Sequence, residues 1–334
     1  MDMMLLDPFV RLLEDISSPQ QVRAVEKGAS AESMWQAVVE SGFLNALAAE
    51  EKGGFGLSLN ELAPLFQAIG AHAVPLPVAE TMIARALLAI PVDEIVDGPI
   101  IVADLSEGHA GLVPLAASAT HVLADRGDHL ALFDKADLDV RYRQLHGSGS
   151  AAIHLADSRR ALMTAPRPSA GLRGVAAIMR AMLIAGSAAR VLDLTVAYAN
   201  ERVQFGRPIG KLQAVQHNLA VLSEKAVMAG MAARIGFAGG LAPSIEAAAI
   251  AKQVTSAAAV EIANLAHAVH GAIGISEEYD LQLLTRRLHE WRLAEGSEGY
   301  WGRILGARRL ADDMALSVDY VRSLGLEKEG AAVR

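Results

Sequence analysis

The sequence predicts a mainly helical protein with a small β region between two helical ones. Of its 334 residues, 52% are hydrophobic and only 4% aromatic. Alanine, which favours helices and lets their backbones approach closely, is abundant after residue 170. A β-branched stretch separates two parts in which apolar residues recur at helical spacing. We expect an N-terminal helical domain at 1–97, a reduced middle β-domain at 98–165, a C-terminal helical bundle at 166–326 and a tail at 327–334.

Composition and charge exclude several classes of protein. Lys plus Arg is 30 and Asp plus Glu is 38, a formal net charge of −8, which disfavours binding to nucleic acid or to anionic membranes. With 0 cysteines, the chain has no disulfides, thiolate metal sites or cysteine nucleophile. The first residues do not resemble a signal peptide, and charges such as Arg180 and Lys252 interrupt the apolar stretches. We therefore expect a cytoplasmic protein with no metal site and no membrane span.

The N-terminal part shows three helical patterns. Apolar residues at helical spacing precede Gly42, a plausible helix stop. Ser58 and Glu61 have the spacing of a capping box, in which each side chain bonds the other's backbone at the start of a helix. Prolines at 75 and 77 separate the second pattern from the third. The helices are expected at 32–40, from 58 to about 69, and from about 79 to 89.

The middle part predicts a few short strands. A turn sequence at 125–128 lies between two apolar segments, which indicates a hairpin. Strands are expected at 99–103, 121–124, 129–133 and 151–155. Prolines and glycine cluster at 164–171, which indicates a linker to the C-terminal part.

The C-terminal part predicts long helices that are apolar over a wide face. Long helices with short connections favour an up-and-down four-helix bundle. The helices are expected at 175–201, 212–239, 243–270, 280–292 and 300–324.

Several common catalytic motifs are absent from the sequence. There is no G-x-G-x-x-G after a strand, no Walker loop, no H-E-x-x-H and no G-x-S-x-G. These absences disfavour a Rossmann dehydrogenase, a P-loop enzyme, a zincin and an α/β-hydrolase.

Residues 198–217 join two predicted helices and carry a candidate anion site. The first helix is expected to end near Arg202, since Gly206 and Pro208 follow. An arginine at a helix end can bind phosphate oxygens through two donors at once, and Gln204 and Gln213 add amide donors. The alternative is a plain helix–loop–helix joint, with a core phenylalanine at 205 and a solvated arginine.

This segment resembles the signature Y-x-x-x-R-x-Q-F-G-x-P-I-x-x-x-Q-x-x-Q-H of the acyl-CoA dehydrogenase family, and every fixed position is met. The resemblance implies that Arg202, Gln204, Phe205 and Gln213 bind FAD near its pyrophosphate. In that family the FAD belongs mostly to the neighbouring subunit. The implied fold has two helical domains on either side of a β-domain.

A second segment, 269–281, resembles the family sequence Q-x-H-G-G-x-G-(Y/I)-x-x-E-(Y/H), which packs near the FAD. The resemblance implies that Gly271 contacts the cofactor. The family's glutamine is replaced by Ala268, and the second glycine of the pair by Ala272. The alternative is an ordinary interhelical turn with a satisfied or solvated His270.

A third segment contains Glu295-Gly296-Ser297, which resembles the family's E-G-T/S turn. The resemblance implies that Glu295 is the base that removes the α-proton of an acyl thioester, and that Ser297 contacts FAD. Such a base must be well placed and partly desolvated, because a proton next to a thioester carbonyl is only weakly acidic. The alternative is a solvated glutamate at a helix end.

The N-terminal part resembles the family as well, and the middle part departs from it. Trp35, Gly42 and residues 50–58 are similar to the family's W-x-x-x-x-x-x-G and P-E-E-x-G-G-x-G segments, with Ala49 in place of the proline. Between residues 98 and 163 there is neither a T-E-x-x-x-G-S-D-like stretch nor a Trp-x-Ser/Thr turn. In the family these segments hold the flavin ring and the thioester.

The resemblance implies an FAD-dependent oxidoreductase that converts an acyl-CoA to a 2-enoyl-CoA in fatty acid or steroid side-chain degradation. An electron-transferring flavoprotein is the implied acceptor. The implied assembly is a homodimer, a homotetramer or a heterotetramer with a second acyl-CoA dehydrogenase subunit. One alternative is a non-catalytic subunit that completes a partner's FAD site, as short relatives of this kind form half of two-subunit enzymes. A helical binding protein without flavin is another.

Overall fold

The computed structural model describes residues 3–142, 147–155 and 160–324, so the tail expected at 327–334 lies outside the described residues. The three helices expected in the N-terminal part are present within two residues of their predicted bounds. Ser58 and Glu61 form the expected capping box, with the Glu61 N–H donating to Ser58 Oγ at 3.2 Å. Two further helices precede them. The five are α1 (Met3–Ile16), α2 (Pro19–Glu26), α3 (Glu32–Glu40), α4 (Leu59–Ala71) and α5 (Val78–Leu88).

The middle part forms two sheets, with more strands than the sequence predicted. The first has the order β1-β3-β4-β7, with β1 and β3 parallel and the other pairs antiparallel; the second is antiparallel with the order β2-β6-β5. The strands are β1 (Ile100–Asp104), β2 (His109–Val113), β3 (His121–Asp125), β4 (His129–Asp134), β5 (Asp139–Tyr142), β6 (Ala151–His154) and β7 (Met163–Pro166).

The first sheet is covered on both faces, because alternate residues of a strand point to opposite sides. Ile100 and Val102 of β1 belong to the main core shared with the helices. Ile101 and Ala103 belong to a second core, which is shared with Ile153 of the other sheet. The small β part is therefore a two-layer sandwich attached to the helical core.

The expected linker at 164–171 is wrong in its first half. Residues up to Pro166 belong to β7, which pairs with β4. A proline is compatible with this position because β7 is an edge strand and one side of its backbone has no ladder partner. The strand is anchored to the bundle by buried Asp125, whose carboxylate accepts hydrogen bonds from Arg167 Nε and from the Leu172 N–H.

The C-terminal part contains the expected long helices. The four main helices lie within about four residues of their predicted bounds. The helix expected at 300–324 is instead two helices, because Asp312 is extended and its carboxylate accepts the Met314 N–H, which ends the first one. The helices are α6 (Gly171–Glu201), α7 (Gln213–Ala238), α8 (Ile245–His270), α9 (Leu281–Leu293), α10 (Glu298–Ala311) and α11 (Ser317–Ser323).

Glycines allow α4 and α6 to pack closely. A Cβ on Gly186 would lie 1.9 Å from the carbonyl oxygen of Gln67, and one on Gly70 would lie 2.1 Å from that of Leu183. The two backbones therefore meet directly, and α6 becomes the central helix of the molecule. Its side chains are buried along most of its length.

Two helical segments are long and apolar enough to cross a membrane by length and composition alone. They are Gly171–Glu201, whose most apolar window is 83% buried in the protein, and Ile245–Ile275, whose window is 39% buried. The expectation that charged residues exclude every apolar segment of membrane-spanning length is therefore wrong. The charges concerned, Arg180 and Lys252, are themselves fully buried.

Candidate functional site

Glu295 lies in a tight turn between α9 and α10. Its φ is 55°, in the left-handed region that non-glycine residues rarely adopt, and Gly296 follows with a φ of 100°. The Trp301 indole N–H donates a 3.0 Å hydrogen bond to the carbonyl oxygen of Glu295. A Cβ at position 296 would lie 2.5 Å from the Tyr300 ring. Backbone strain of this kind persists only where the surroundings hold it, and it is common at functional sites.

A buried lysine holds both ends of this turn. Lys252 of α8 is fully buried, and its ammonium donates to the carbonyl oxygens of Arg292 and Gly296, both at 2.9 Å. Its third donor bonds Ser256 Oγ at 3.1 Å. All three N–H groups of the ammonium are therefore satisfied, which a buried cation requires.

A buried arginine holds the Glu295 carboxylate. Arg180 of α6 donates from Nε to Glu295 Oε2 at 3.1 Å, and its Nη1 donates to the carboxylate of Glu80 on α5. Arg180 and Glu80 are both buried, and only 9% of the Glu295 side chain is exposed. One guanidinium is therefore shared by two carboxylates. The Arg180 Nη2 group has no hydrogen-bond partner among the described residues.

These contacts shift the pKa values of the charged groups around Glu295. Burial raises the pKa of Glu295 above its ordinary value, although Arg180 and Lys252 oppose the shift. Burial lowers the pKa of Arg180, but the carboxylates of Glu295 and Glu80 outweigh it and raise the pKa overall. Burial also lowers the pKa of Lys252 to about 7. Glu295 is thus a carboxyl group that titrates above the normal range, as a general base near neutral pH should.

Glu295 lines a cleft between the β part and the helices. The cleft has a volume of about 250 Å³ and is lined by β1, β2, Arg173, Leu293 and the Glu295-Gly296 turn. Two further cavities, of about 280 and 390 Å³, continue along α9. Leu112 and Leu293 line the first two cavities, and Arg286 and His289 line the second and the third. The three cavities share lining residues one after another along α9, and we call this row, which begins at Glu295, the trough.

The residues expected to contact pyrophosphate lie elsewhere, in a small exposed hairpin after α6. Its strands, β8 (Val203–Gln204) and β9 (Arg207–Pro208), are joined by Phe205 and Gly206, which both have positive φ. Two positive φ values at a two-residue loop define a type I′ turn. Phe205 is 86% exposed, so the alternative of a core phenylalanine is wrong. A strained, exposed aromatic is unusual for a plain joint.

Arg202 lies at the base of this hairpin and is exposed. Its guanidinium has no ion-pair or hydrogen-bond partner within the part of the chain that the structure describes. Gln204 and Gln213 are exposed as well. The three side chains are therefore available to a ligand or to another chain.

Gly271 lies at the same end of the bundle. It follows His270, whose ring stacks on Tyr198 with centroids 4.4 Å apart, and Tyr198 is one turn before Arg202. His270 Nδ1 contacts the carbonyl oxygen of Ala266 at 2.8 Å, while Nε2 is buried with no partner among the described residues. His270 is thus neither solvated nor fully satisfied. There is open space around Gly271, whose φ is 64°.

Ser297 lies at the Glu295 end. It occupies the N-cap of α10, but its hydroxyl makes no capping hydrogen bond. Serine at an N-cap normally bonds a backbone N–H of the first turn. The hydroxyl is therefore free for another partner.

The predicted site residues thus form two sets at opposite ends of the bundle. Arg180, which holds Glu295, and Arg202 are separated by about 33 Å along α6, at 1.5 Å per residue. Lys252, which holds Gly296, is about 27 Å from His270 along α8 by the same rise. One chain therefore does not bring Arg202 and Glu295 together.

Four residues of the Glu295 cluster were not among the site residues expected from the sequence: Glu80, Arg180, Lys252 and Trp301. Two of them carried a usable signal. Isolated charges in a long apolar helix are rarely buried unless they are paired, and Arg180 and Lys252 both fit that description. Nothing in the local sequence identified Glu80 as the partner of Arg180.

Comparisons with known proteins agree with this architecture. A family model described as "Acyl-CoA dehydrogenase, C-terminal domain" matches residues 174–310. Acyl-CoA dehydrogenase IpdE2 of Mycolicibacterium smegmatis is 31% identical over 300 residues, which cover 86% of this chain and 91% of that protein. Its namesake in Mycobacterium tuberculosis is 32% identical over 302 residues, covering 86% and 90%.

Solved structures are similar over nearly the whole chain. A variant of the Tcur3481-Tcur3483 steroid ACAD superposes with a TM-score of 0.79 at 24% identity, covering 93% of this chain and 98% of that one. The ChsE4-ChsE5 complex from Mycobacterium tuberculosis gives a TM-score of 0.75 at 21% identity, covering 94% and 98%. At these identities the structures establish a shared fold.

Proposed function

Because the chain belongs to the acyl-CoA dehydrogenase family, we propose that it acts in the FAD-dependent oxidation of an acyl-CoA to a 2-enoyl-CoA. The observation that carries the proposal is Glu295, whose side chain is buried and which lines a cleft from a strained and firmly held turn. A solvated glutamate at a helix end, the alternative from the sequence, would show neither burial nor this set of contacts.

Glu295 is the proposed base. Its carboxylate removes the α-proton of the thioester, so that the proton passes to a carboxyl oxygen and negative charge develops on the thioester carbonyl. Burial raises the pKa of Glu295, which strengthens it as a base, while Arg180 and Lys252 favour the ionised form. Trp301 and Lys252 fix the turn through its backbone carbonyls, so the carboxylate is oriented before substrate arrives.

At each end of the bundle, the residues are suited to one part of an FAD molecule. The unpaired guanidinium of Arg202 suits a diphosphate, the exposed ring of Phe205 offers an apolar surface, and the free hydroxyl of Ser297 can bond a polar edge. Gln204 of the same hairpin, Gln213 at the start of α7 and Gly271 after α8 are assigned to the same part of the cofactor. When bound, FAD supplies the hydride acceptor of the reaction.

The separation of the two ends supports an oligomer. The diphosphate of FAD is joined to its ring by a five-carbon chain, which at ~1.5 Å per bond spans on the order of 10 Å. That is far less than the ~33 Å along α6 between Arg202 and Arg180, the residue that bonds Glu295. We assign the Arg202 end to a flavin whose ring faces another chain, either a second copy or a second acyl-CoA dehydrogenase subunit.

The substrate is proposed to be an acyl-CoA from fatty acid or steroid side-chain degradation, and the electron acceptor an electron-transferring flavoprotein. A structural relative described as a steroid ACAD favours the steroid class. The long trough along α9 is compatible with a bulky ligand.

A second candidate function is that of a non-catalytic subunit, which lends its Arg202 end to a partner's flavin. The observation that favours it is the size of the Glu295 cleft. About 250 Å³ is below the 300–1,000 Å³ typical of ligand pockets, and a flavin ring and an acyl thioester would have to share it. In this case Glu295 would be structural.

One experiment distinguishes the two candidate functions. The chain is expressed alone and together with a neighbouring acyl-CoA dehydrogenase subunit, and each product is purified and titrated anaerobically with acyl-CoA thioesters. A yellow assembly that is bleached by an acyl-CoA, but not after Glu295→Gln, supports the first function. A yellow assembly that is bleached equally well with Glu295→Gln supports the second. No flavin in either preparation contradicts both.

A further inference from the structure

We infer that Arg180 is a positioning residue, which together with Glu80 holds the Glu295 carboxylate ionised and aimed at the cleft. The inference deepens the proposed function and rests on it. Arg180 itself does not line the cleft, whereas Glu295 does. The direct contact between Arg180 and the cleft lining is its hydrogen bond to Glu295.

A buried carboxyl group by itself prefers the neutral form, because desolvation disfavours charge. A neutral carboxylic acid cannot accept a proton from a thioester. The Arg180 Nε–Glu295 Oε2 contact of 3.1 Å offsets this cost with a permanent cation that is completely buried. The arginine thus makes a buried base possible.

The carboxylate of Glu80 weakens the effect of Arg180 on the pKa of Glu295. Arg180 alone would lower the basicity of Glu295 as well as keep it ionised, since an ion pair stabilises the charged form. Because Arg180 also bonds Glu80, its charge is shared between two carboxylates, and the negative charge of Glu80 raises the pKa of Glu295. We call Glu80, Arg180 and Glu295 the ion triad. In it the Glu295 carboxylate is held ionised by Arg180, but its pKa is higher than it would be with Arg180 alone.

The geometry favours this role over simple packing. The guanidinium of Arg180 bonds both carboxylates, through Nε to Glu295 and through Nη1 to Glu80, so its position is set by the two charges. Replacement of buried ion clusters by apolar residues is often neutral or stabilising, so stability alone does not require the triad.

Several other charged and titratable groups surround Glu295 and are left unchanged in the test. Lys252 approaches it from α8. The others are Arg173 on α6, Arg292, Glu298 and Tyr300 on its own side of the cleft, and Asp104, Glu107 and His109 across it.

The test uses the flavin-loaded assembly and two variants with opposite expected effects. Arg180→Met combined with Glu80→Leu removes the cation and its second partner without leaving Glu80 unpaired. It should move the acid limb of the kcat/KM profile upward by about 1 pH unit or more, as expected for loss of an opposite charge at this distance. Glu80→Gln removes the competing carboxylate and should move the limb downward. General damage to the fold would not shift the acid limb of the kcat/KM profile upward in one variant and downward in the other.

A second readout does not depend on activity. The infrared carbonyl stretch of a protonated carboxyl group is followed with pH, and Glu295→Gln identifies the Glu295 band by difference. We expect this band to persist to higher pH in the double variant and to vanish at lower pH in Glu80→Gln. An unchanged titration in both variants overturns the inference, whether or not the assembly is active. Absence of bleaching in the wild-type assembly, with the infrared shifts present, overturns the proposed function alone.

Discussion

Arg180 lies within α6 and Arg202 directly follows its last residue, about 33 Å away at 1.5 Å per residue, and the two have opposite environments. Arg180 is completely buried between two carboxylates, whereas Arg202 is exposed and unpaired among the described residues. Each lies at the centre of one of the two sets of site residues. The first holds a candidate base, and the second is available to another chain.

Arg202→Ala should release flavin without affecting the fold, because its side chain is exposed and has no ion-pair or hydrogen-bond partner among the described residues. Loss of charge-assisted hydrogen bonds to a diphosphate costs about 1.5–3 kcal/mol, roughly a tenfold or greater loss of flavin affinity. The flavin-to-protein ratio after gel filtration of the assembly measures this. The control is Arg11→Ala, an exposed arginine on α1. Equal retention of flavin in both variants would contradict the assignment.

Glu295→Gln should slow flavin bleaching by about 10²–10⁴-fold, the usual effect of removing a general base. Glu298→Gln is the matched control. Glu298 is close in sequence, but it pairs with Arg292 and does not line the cleft. Stopped-flow absorbance under anaerobic conditions gives both rates. A loss of the same size in the two variants would mean that the turn, and not the Glu295 carboxylate, matters.

Gly296→Ala should destabilise the chain or prevent folding. A methyl group there would lie 2.5 Å from the Tyr300 ring, at a φ of 100° that side chains rarely adopt. Gly306→Ala is the control, since that helical position has open space and alanine should stabilise it by up to ~1 kcal/mol. Urea unfolding of both variants gives the comparison. Wild-type stability in Gly296→Ala would show that the turn is not constrained as described.

Lys252 should make stability depend on pH. Burial lowers the pKa of this amine to about 7 in the folded chain, whereas an unfolded lysine titrates near 10.4. Between these values unfolding takes up a proton, so raising the pH stabilises the wild type. We expect its unfolding free energy to rise, relative to Lys252→Met, as the pH goes from 7 to 10. Parallel pH profiles for the two proteins would refute this.

The sequence predicted the helices well where periodicity and end signals coincide. The capping box at Ser58 and Glu61 and the stop at Gly42 gave bounds within about two residues. Strands β2 and β5 were missed because both are short and lie largely at the surface, and β2 contains a glycine. Tertiary pairing, and not local preference, makes them strands.

The candidate site was predictable only in part. The resemblance identified Glu295 and the Arg202 segment, but their placement at opposite ends depends on the lengths and directions of α6 and α8. The ion triad needs contacts between Glu80, Arg180 and Glu295, which are far apart in the chain. No local pattern encodes such contacts.

A structure of the flavin-loaded assembly, by crystallography or cryo-EM, would show which chain's flavin Arg202 contacts and where Glu295 lies. We expect the Arg202 guanidinium within hydrogen-bond distance of the diphosphate of a flavin whose ring faces a different chain. We also expect the Glu295 of this chain at a second, separate site. Arg202 pointing into water in that assembly, or meeting the same FAD as Glu295 of its own chain, would contradict the account.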